Sequence, residues 1–234
     1  MNDATPLVTS ERVFVTGGTG YIGRSLIGAL LAAGRTVLVL TRPESVCRVP
    51  EGAEIVVGDA LDSASIGAAL RPGDTLVHLV GTAHPSPRKT REFVAVDLAS
   101  VRAAIAAART AGVRHFVYLS VAQPAPVMKT YVAVRAEGER LLSISGLTAT
   151  VLRPWYVIGP GHRWPLVLMP LYWAAERVPA LRHGAERLGL VSLHEMVEAL
   201  RAAIDAPPRG GLRIVEVPGI RSGAAHDHQD AAAH

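Results

Sequence analysis

The stretch from Val13 to Gly23, V-F-V-T-G-G-T-G-Y-I-G, constrains this chain more than any other. Residues of strand character run straight into glycines at positions 17, 20 and 23, in G-x-x-G-x-x-G spacing. A helical pattern follows at once, with Ile22, Leu26, Ile27, Leu30 and Leu31 on one face. A strand, a tight loop and a helix start in that order leave backbone N–H groups facing outward with no Cβ in front of them, and the positive helix end adds favourable charge for an anion. Residues Thr16, Gly17, Gly18, Thr19, Gly20, Tyr21, Ile22 and Gly23 are therefore expected to cradle a diphosphate.

The rest of the chain repeats a strand-helix alternation. Strands are expected at Arg12–Thr16, Thr36–Thr41, Glu54–Val57, Thr75–Val80, His115–Leu119 and Ala149–Arg153, and several are unbroken apolar runs of the kind a strand buried on both faces requires. Between them, Asp62 or Ser63 caps a short helix running through Leu70. A helix from Arg91 to Ala111 carries Val94, Leu98, Val101 and Ile105 on one face, and a third, capped by Thr130, runs to Ser145. This alternation predicts an α/β doubly wound parallel sheet of the Rossmann kind, in the order 3-2-1-4-5-6.

The predicted domain organisation is a leader over residues 1–11, a dinucleotide-binding core over 12–153, a small substrate-side lid with a last helix (His194–Ile204) and strand (Arg213–Val217) over 154–220, and a disordered tail over 221–234. The lid is marked by prolines and by all three tryptophans, Trp155, Trp164 and Trp173, which are expected to pack. Its stretch L-V-L-M-P-L-Y-W also suits a peripheral membrane or protein-assembly contact.

Composition narrows the setting. The formal net charge is +4, but the arginines are scattered singly, with no basic stripe, so a nucleic-acid partner is not expected. No apolar run is long enough to span a bilayer. The single cysteine, Cys47, forms no internal disulfide, and the expectation is a soluble protein of the cytoplasm. His78, His84, His162 and His194 show no metal-ligand spacing with Cys47, so no metal is expected; the tail histidines 226, 228 and 234 read the same way.

The glycine loop with Thr16 before it resembles the extended and atypical short-chain dehydrogenase/reductases, the epimerase/dehydratase-like superfamily. Other stretches are similar too: Gly58-Asp59, V-H-L-V-G at 77–81, R-H-F-V-Y-L-S at 114–120, Y-V-A-V-R-A-E-G-E-R at 131–140, and L-R-P-W-Y-V-I-G-P-G at 152–161. The branch it most resembles includes the dehydrogenase-like accessory subunit of mitochondrial complex I. The resemblance implies a bound nicotinamide dinucleotide, with Asp59 by the adenine and Ala60, Val80, Gly81 and Pro154 among its contacts.

An NAD-specific site would place a carboxylate at the end of the second strand, where this chain has Thr41-Arg42. A guanidinium pairs with a 2′-phosphate, so NADP (as NADPH) is favoured over NAD, with Arg42 as main contact and Arg24 or Arg48 as helpers. The resemblance also implies a catalytic Tyr with a Lys four residues on; here the pair is Tyr131 and Arg135, on one helix face. Arginine keeps the charge beside the phenol and can contact ribose, but releases no proton. The family's polarising hydroxyl falls at Ser120 or, one residue on, at Val121, where it is missing; the Asn common in the fourth helix is Asp97. Two readings follow. One is an NADPH-dependent reductase or epimerase-type enzyme on a small carbonyl or sugar-nucleotide-like compound; the other is a catalytically silent NADPH-binding protein with a structural or redox-sensing role.

Overall fold

The computed structural model describes residues 12–82, 86–125, 127–160 and 188–223. Seven strands form one parallel sheet: β1 (Val13–Thr16), β2 (Val37–Thr41), β3 (Glu54–Val57), β4 (Thr75–His78), β5 (His115–Leu119), β6 (Ala149–Arg153) and, in the notation used here, β9 (Leu212–Glu216). Their order is β3-β2-β1-β4-β5-β6-β9, which is the expected 3-2-1-4-5-6 sheet with the last strand added beside β6. Two further strands, β7 (Tyr156–Ile158) and β8 (Leu190–Ser192), pair parallel to each other in a separate ribbon.

Strand alternation divides the core into two layers. Phe14, Leu38, Leu40, Leu76, Phe116 and Tyr118 pack on one side, against α2 (Ser63–Gly67), the long helix α3 over residues 90–111, and α4 (Lys129–Ser143). Val13, Val15, Val37, Val39, Val77 and Val117 pack on the other, against α1 (Tyr21–Ala32), α5 (Leu193–Asp205) and α6 (Val217–Ser222). Because both faces are covered, β1, β2 and β4 are buried at every residue, as their apolar runs require.

Several local expectations change. Residues Phe93–Leu98 of α3 form a π-helical turn. Counting back from Leu98 by a wider turn reaches Phe93 instead of Val94, so Phe93 is buried while Val94, expected on the inner face, points to solvent. Asp62, not Ser63, caps α2, accepting from the N–H groups of Ala64 and Ser65, and the helix stops at Gly67, short of Leu70. Thr130 does not cap α4: the helix begins at Lys129, and the residue before it, Met128, is left-handed at φ 56° with no side-chain cap. Arg221 and Ser222, expected in the tail, belong to α6. Val217 and Ile220 bury fully in α6, and Arg221 on that helix donates to the Leu190 carbonyl from Nε at 2.9 Å and Nη2 at 2.7 Å, tying β8 to the main body. Trp155 packs edge-on to Tyr156 at 5.4 Å, while Trp164, Trp173, the apolar stretch between them, His84, His162 and the tail histidines lie outside the described residues.

Two strand histidines are buried without charge. Burial, with nearby arginines adding to it, holds both His78 and His115 at a pKa of about 3, against the ordinary 6.5. The unfolded chain therefore takes up protons below pH 6.5 that the folded one refuses, and stability falls from there down to about pH 3, by roughly 1.4 kcal/mol per pH unit for each histidine. Urea unfolding from pH 7 to 4 tests this: His115→Gln is expected to flatten the dependence by about half, and an unchanged slope would exclude the assignment.

Candidate functional site

Parallel strands bring the loops that follow them to one edge. The turn after β1 holds residues 17–20, β2 is followed by Arg42, β3 by Gly58-Asp59-Ala60, β4 by residues 79–82, β5 by Ser120 and β6 by Pro154, so the expected site residues lie along the C-terminal edge of a single sheet.

Glycine is required here by close approach. Gly17 sits at φ +77°, and a Cβ on it would come within 2.7 Å of the Leu79 backbone carbon after β4. A Cβ on Gly23 would lie 2.5 Å from the Gly17 carbonyl oxygen, and one on Gly18 would meet Val39 and Ile27 at 2.7 and 2.8 Å. Gly20 differs. It is exposed, and its added Cβ would touch only the Gly17 carbonyl, at 3.2 Å. It is the cap of α1, whose N-terminus has no side-chain cap and no acidic residue in its first turn. By contrast α5 closes its own N-terminus with a Ser192/Glu195 capping box, and Asp62 closes α2. In the first turn of α1, beside half-buried Thr19 and Ile22, the N–H groups of Ile22 and Gly23 have no side-chain cap and can receive an anion from outside, a cradle that a Cβ at Gly20 would begin to fill.

Behind the loop, Thr16 Oγ1 lies 2.8 Å from His78 Nδ1, and His78 Nε2 lies 3.2 Å from Ser100 Oγ. Ser100 spends its own proton on the Asp97 carbonyl, at 3.1 Å. The neutral ring therefore carries its proton on Nε2 and accepts from Thr16 at Nδ1, which locks β1, β4 and α3 together. On the β2 side, Arg42 is exposed, with Nε 3.3 Å from Glu44 Oε1; Arg48 donates to Ser45 Oγ at 2.6 Å, and Arg24 is exposed on α1. Asp59 is exposed and accepts from Leu61 N at 2.9 Å.

On the β4–β5 side, Tyr131 is half-buried at the start of α4, its ring 5.0 Å from that of Phe93, with the Arg135 guanidinium 5.3 Å from its centre. Arg135 itself is buried. It pairs with Asp97 at 2.7 Å and donates from Nη1 to the carbonyls of Leu119 (3.1 Å) and Val80 (3.3 Å). Burial alone would disfavour its charge, but Tyr131, Tyr118 and Asp97 hold its pKa above the ordinary value. The guanidinium crowds Gly81, where any Cβ would strike Nη2. Its Nε–H is buried and meets no acceptor among the described residues, a donor suited to a nucleotide hydroxyl.

Ser120 is turned elsewhere. Its hydroxyl donates to Glu139, which also accepts from Gln123 at 2.7 Å and pairs with Arg153, so neither Ser120 nor buried Val121 offers a free hydroxyl at the expected place. Pro154 is buried, its carbonyl taking the Ala122 N–H at 2.9 Å. Sequence reasoning missed the Glu139–Arg153–Glu216 chain of ion pairs, although Glu139 and Arg153 both sit within motifs it singled out. It also missed Phe93 and Thr82, for which the sequence carries no signal.

A helix N-terminus without a cap and a glycine loop pressed on the neighbouring strand end suit a dinucleotide-binding α/β protein. Residues 17–161 match the model of the NAD(P)H-binding family, and the chain belongs to that family. Among curated relatives, it is 29% identical to a ceramide reductase of Caulobacter vibrioides (92% of this chain, 69% of that one) and 30% identical to a 3-diazoavenalumate denitrifying reductase of a Streptomyces species (88% and 76%). A short-chain dehydrogenase/reductase superfamily protein from Agrobacterium tumefaciens, solved with bound NAD, shares the fold at a TM-score of 0.64 and 21% identity, over 87% of this chain and 76% of that one. The fold is also that of a solved UDP-galactose 4-epimerase, and the curated relatives named above are reductases.

The glycines separate folding from binding. Gly17→Ala is expected to lower both stability, by about 1–3 kcal/mol, and nucleotide affinity. Gly20→Ala should leave the melting temperature within a few degrees while lowering NADPH affinity at least tenfold, read by NADPH fluorescence; unaltered affinity would remove the diphosphate from this loop.

Proposed function

We propose that this protein is an NADPH-dependent reductase of a small carbonyl compound, with Tyr131 as the proton donor. The observation that supports the reading is the packing of half-buried Tyr131 against Phe93 on one side, with the Arg135 guanidinium 5.3 Å from its ring centre. The reductase relatives support it.

NADPH, when bound, supplies the hydride. The protein's part is to bind, orient and protonate. The N–H groups at the start of α1 would hold the diphosphate, and Arg42, released from its exposed partner Glu44, would hold the 2′-phosphate. The Arg135 Nε–H would donate to a ribose hydroxyl. Tyr131 gives its phenol proton to the carbonyl oxygen as the alcohol forms, and the fixed charge of Arg135 stabilises the tyrosinate left behind. Arg135 passes no proton on, so Tyr131 recovers its own from solvent, which its half-buried position permits.

A second reading, a nucleotide-binding protein without turnover, is favoured by the commitment of the Ser120 hydroxyl to Glu139, which leaves Ser120 unable to polarise a substrate.

Two measurements check these readings. Arg42→Ala is expected to weaken NADPH binding by about 10–100-fold and leave NADH unchanged; equal loss for both, or a wild type that prefers NADH, would contradict the NADP assignment. In a screen of ketones and aldehydes followed by NADPH oxidation, Tyr131→Phe should lower turnover by about 10²–10⁴-fold, whereas the silent-binder reading predicts no turnover in either protein.

A further inference from the structure

The ion pair between Asp97 and Arg135 does more than neutralise a buried charge. The side chains of Asp97 and Arg135 are 0% and 6% exposed. Oδ1 of Asp97 faces Arg135 at 2.7 Å, while Oδ2 accepts both the backbone N–H of Thr82, at 3.0 Å, and the Thr82 hydroxyl, at 2.5 Å. Arg135 in turn donates to Val80 and Leu119. The pair therefore grips the segment after β4 at two points, residues 80 and 82, and fastens it to α3, α4 and the end of β5. The π-helical turn at Phe93–Leu98 carries Asp97 to this position and Phe93 to the ring of Tyr131.

The gripped segment has a defined place relative to the nucleotide. Its first residue, Leu79, presses on Gly17, while Arg42 lies on the far side of β1, following β2. A dinucleotide with its 2′-phosphate at Arg42 and its diphosphate on the glycine loop crosses the sheet edge from β2 over β1, and its other half must pass the β4 segment.

We propose that Asp97 is a positioning residue: through Arg135 and Thr82 it holds residues 79–82 in the shape that receives the nicotinamide-ribose half of the nucleotide, beside Tyr131. Asp97 touches no ligand itself. The inference rests on the NADPH reading and adds a residue that acts on one half of the ligand only. A pair that served stability alone would affect both halves alike or neither.

Binding of two probes separates these roles: NADPH, and adenosine 2′,5′-bisphosphate, which carries the adenine half and lacks the rest. Asp97→Asn is expected to raise the Kd for NADPH about tenfold or more and Thr82→Val about threefold, with the bisphosphate Kd within about twofold of wild type in both. Thr82→Val removes one hydroxyl and no charge, so it keeps the test open where Asp97→Asn fails to fold. Equal weakening of both probes, or an unchanged NADPH Kd in both variants, would overturn the proposal. A wild type that prefers NADH would instead overturn the Arg42 reading, and the same comparison then uses NADH and adenosine 5′-monophosphate.

Discussion

The contact on which the site depends is the approach of Gly17 to the backbone of Leu79. It lets the turn after β1 lie flat against the end of β4, so that the chain enters α1 at Gly20 with the helix's first N–H groups turned outward. Gly23 then allows the helix to pass over the Gly17 carbonyl, and Gly18 closes on Val39 and Ile27. Three glycines are thus set by packing, and one, Gly20, by what the protein leaves open. The hydrogen bonds from Thr16 through His78 to Ser100 hold the two strands beneath this turn in register with α3, which gives the loop a rigid floor.

The second constraint is electrostatic. A permanently charged guanidinium is buried under Tyr131, and the fold compensates it with Asp97 and with carbonyls from two strand ends. Arginine in place of the family's lysine would leave an unsatisfied fork of donors; an aspartate in place of the family's asparagine answers one branch, and the β4 and β5 carbonyls answer the other. The two departures from the family pattern are physically one change. That change keeps positive charge beside the Tyr131 ring.

The sheet order and the glycine turn between β1 and α1 were legible in the sequence, because unbroken apolar strands and glycine spacing each admit few structures. The orientation of Phe93 was not, since a π turn shifts helix phase without changing composition, and Val94 was equally apolar. The Thr130 cap failed for a related reason: residue type suggested a cap where the left-handed Met128 starts the helix without one. Ser120 stood at the expected strand end, but its hydroxyl found the Glu139 carboxylate, a partner 19 residues away that only the packing of α4 on β5 brings near. Asp97 was visible as a departure. Its partner was not, because nothing in the spacing of residues 97 and 135 marks them as a pair.

The most direct measurement is a crystal structure of the NADPH complex. The expected complex has the diphosphate on the backbone N–H groups at the start of α1, the 2′-phosphate against Arg42, and the nicotinamide ring beside Tyr131 with residues 79–82 still fastened to Asp97. A nucleotide bound with its diphosphate away from Gly20, or with its nicotinamide half directed away from Tyr131, would contradict it.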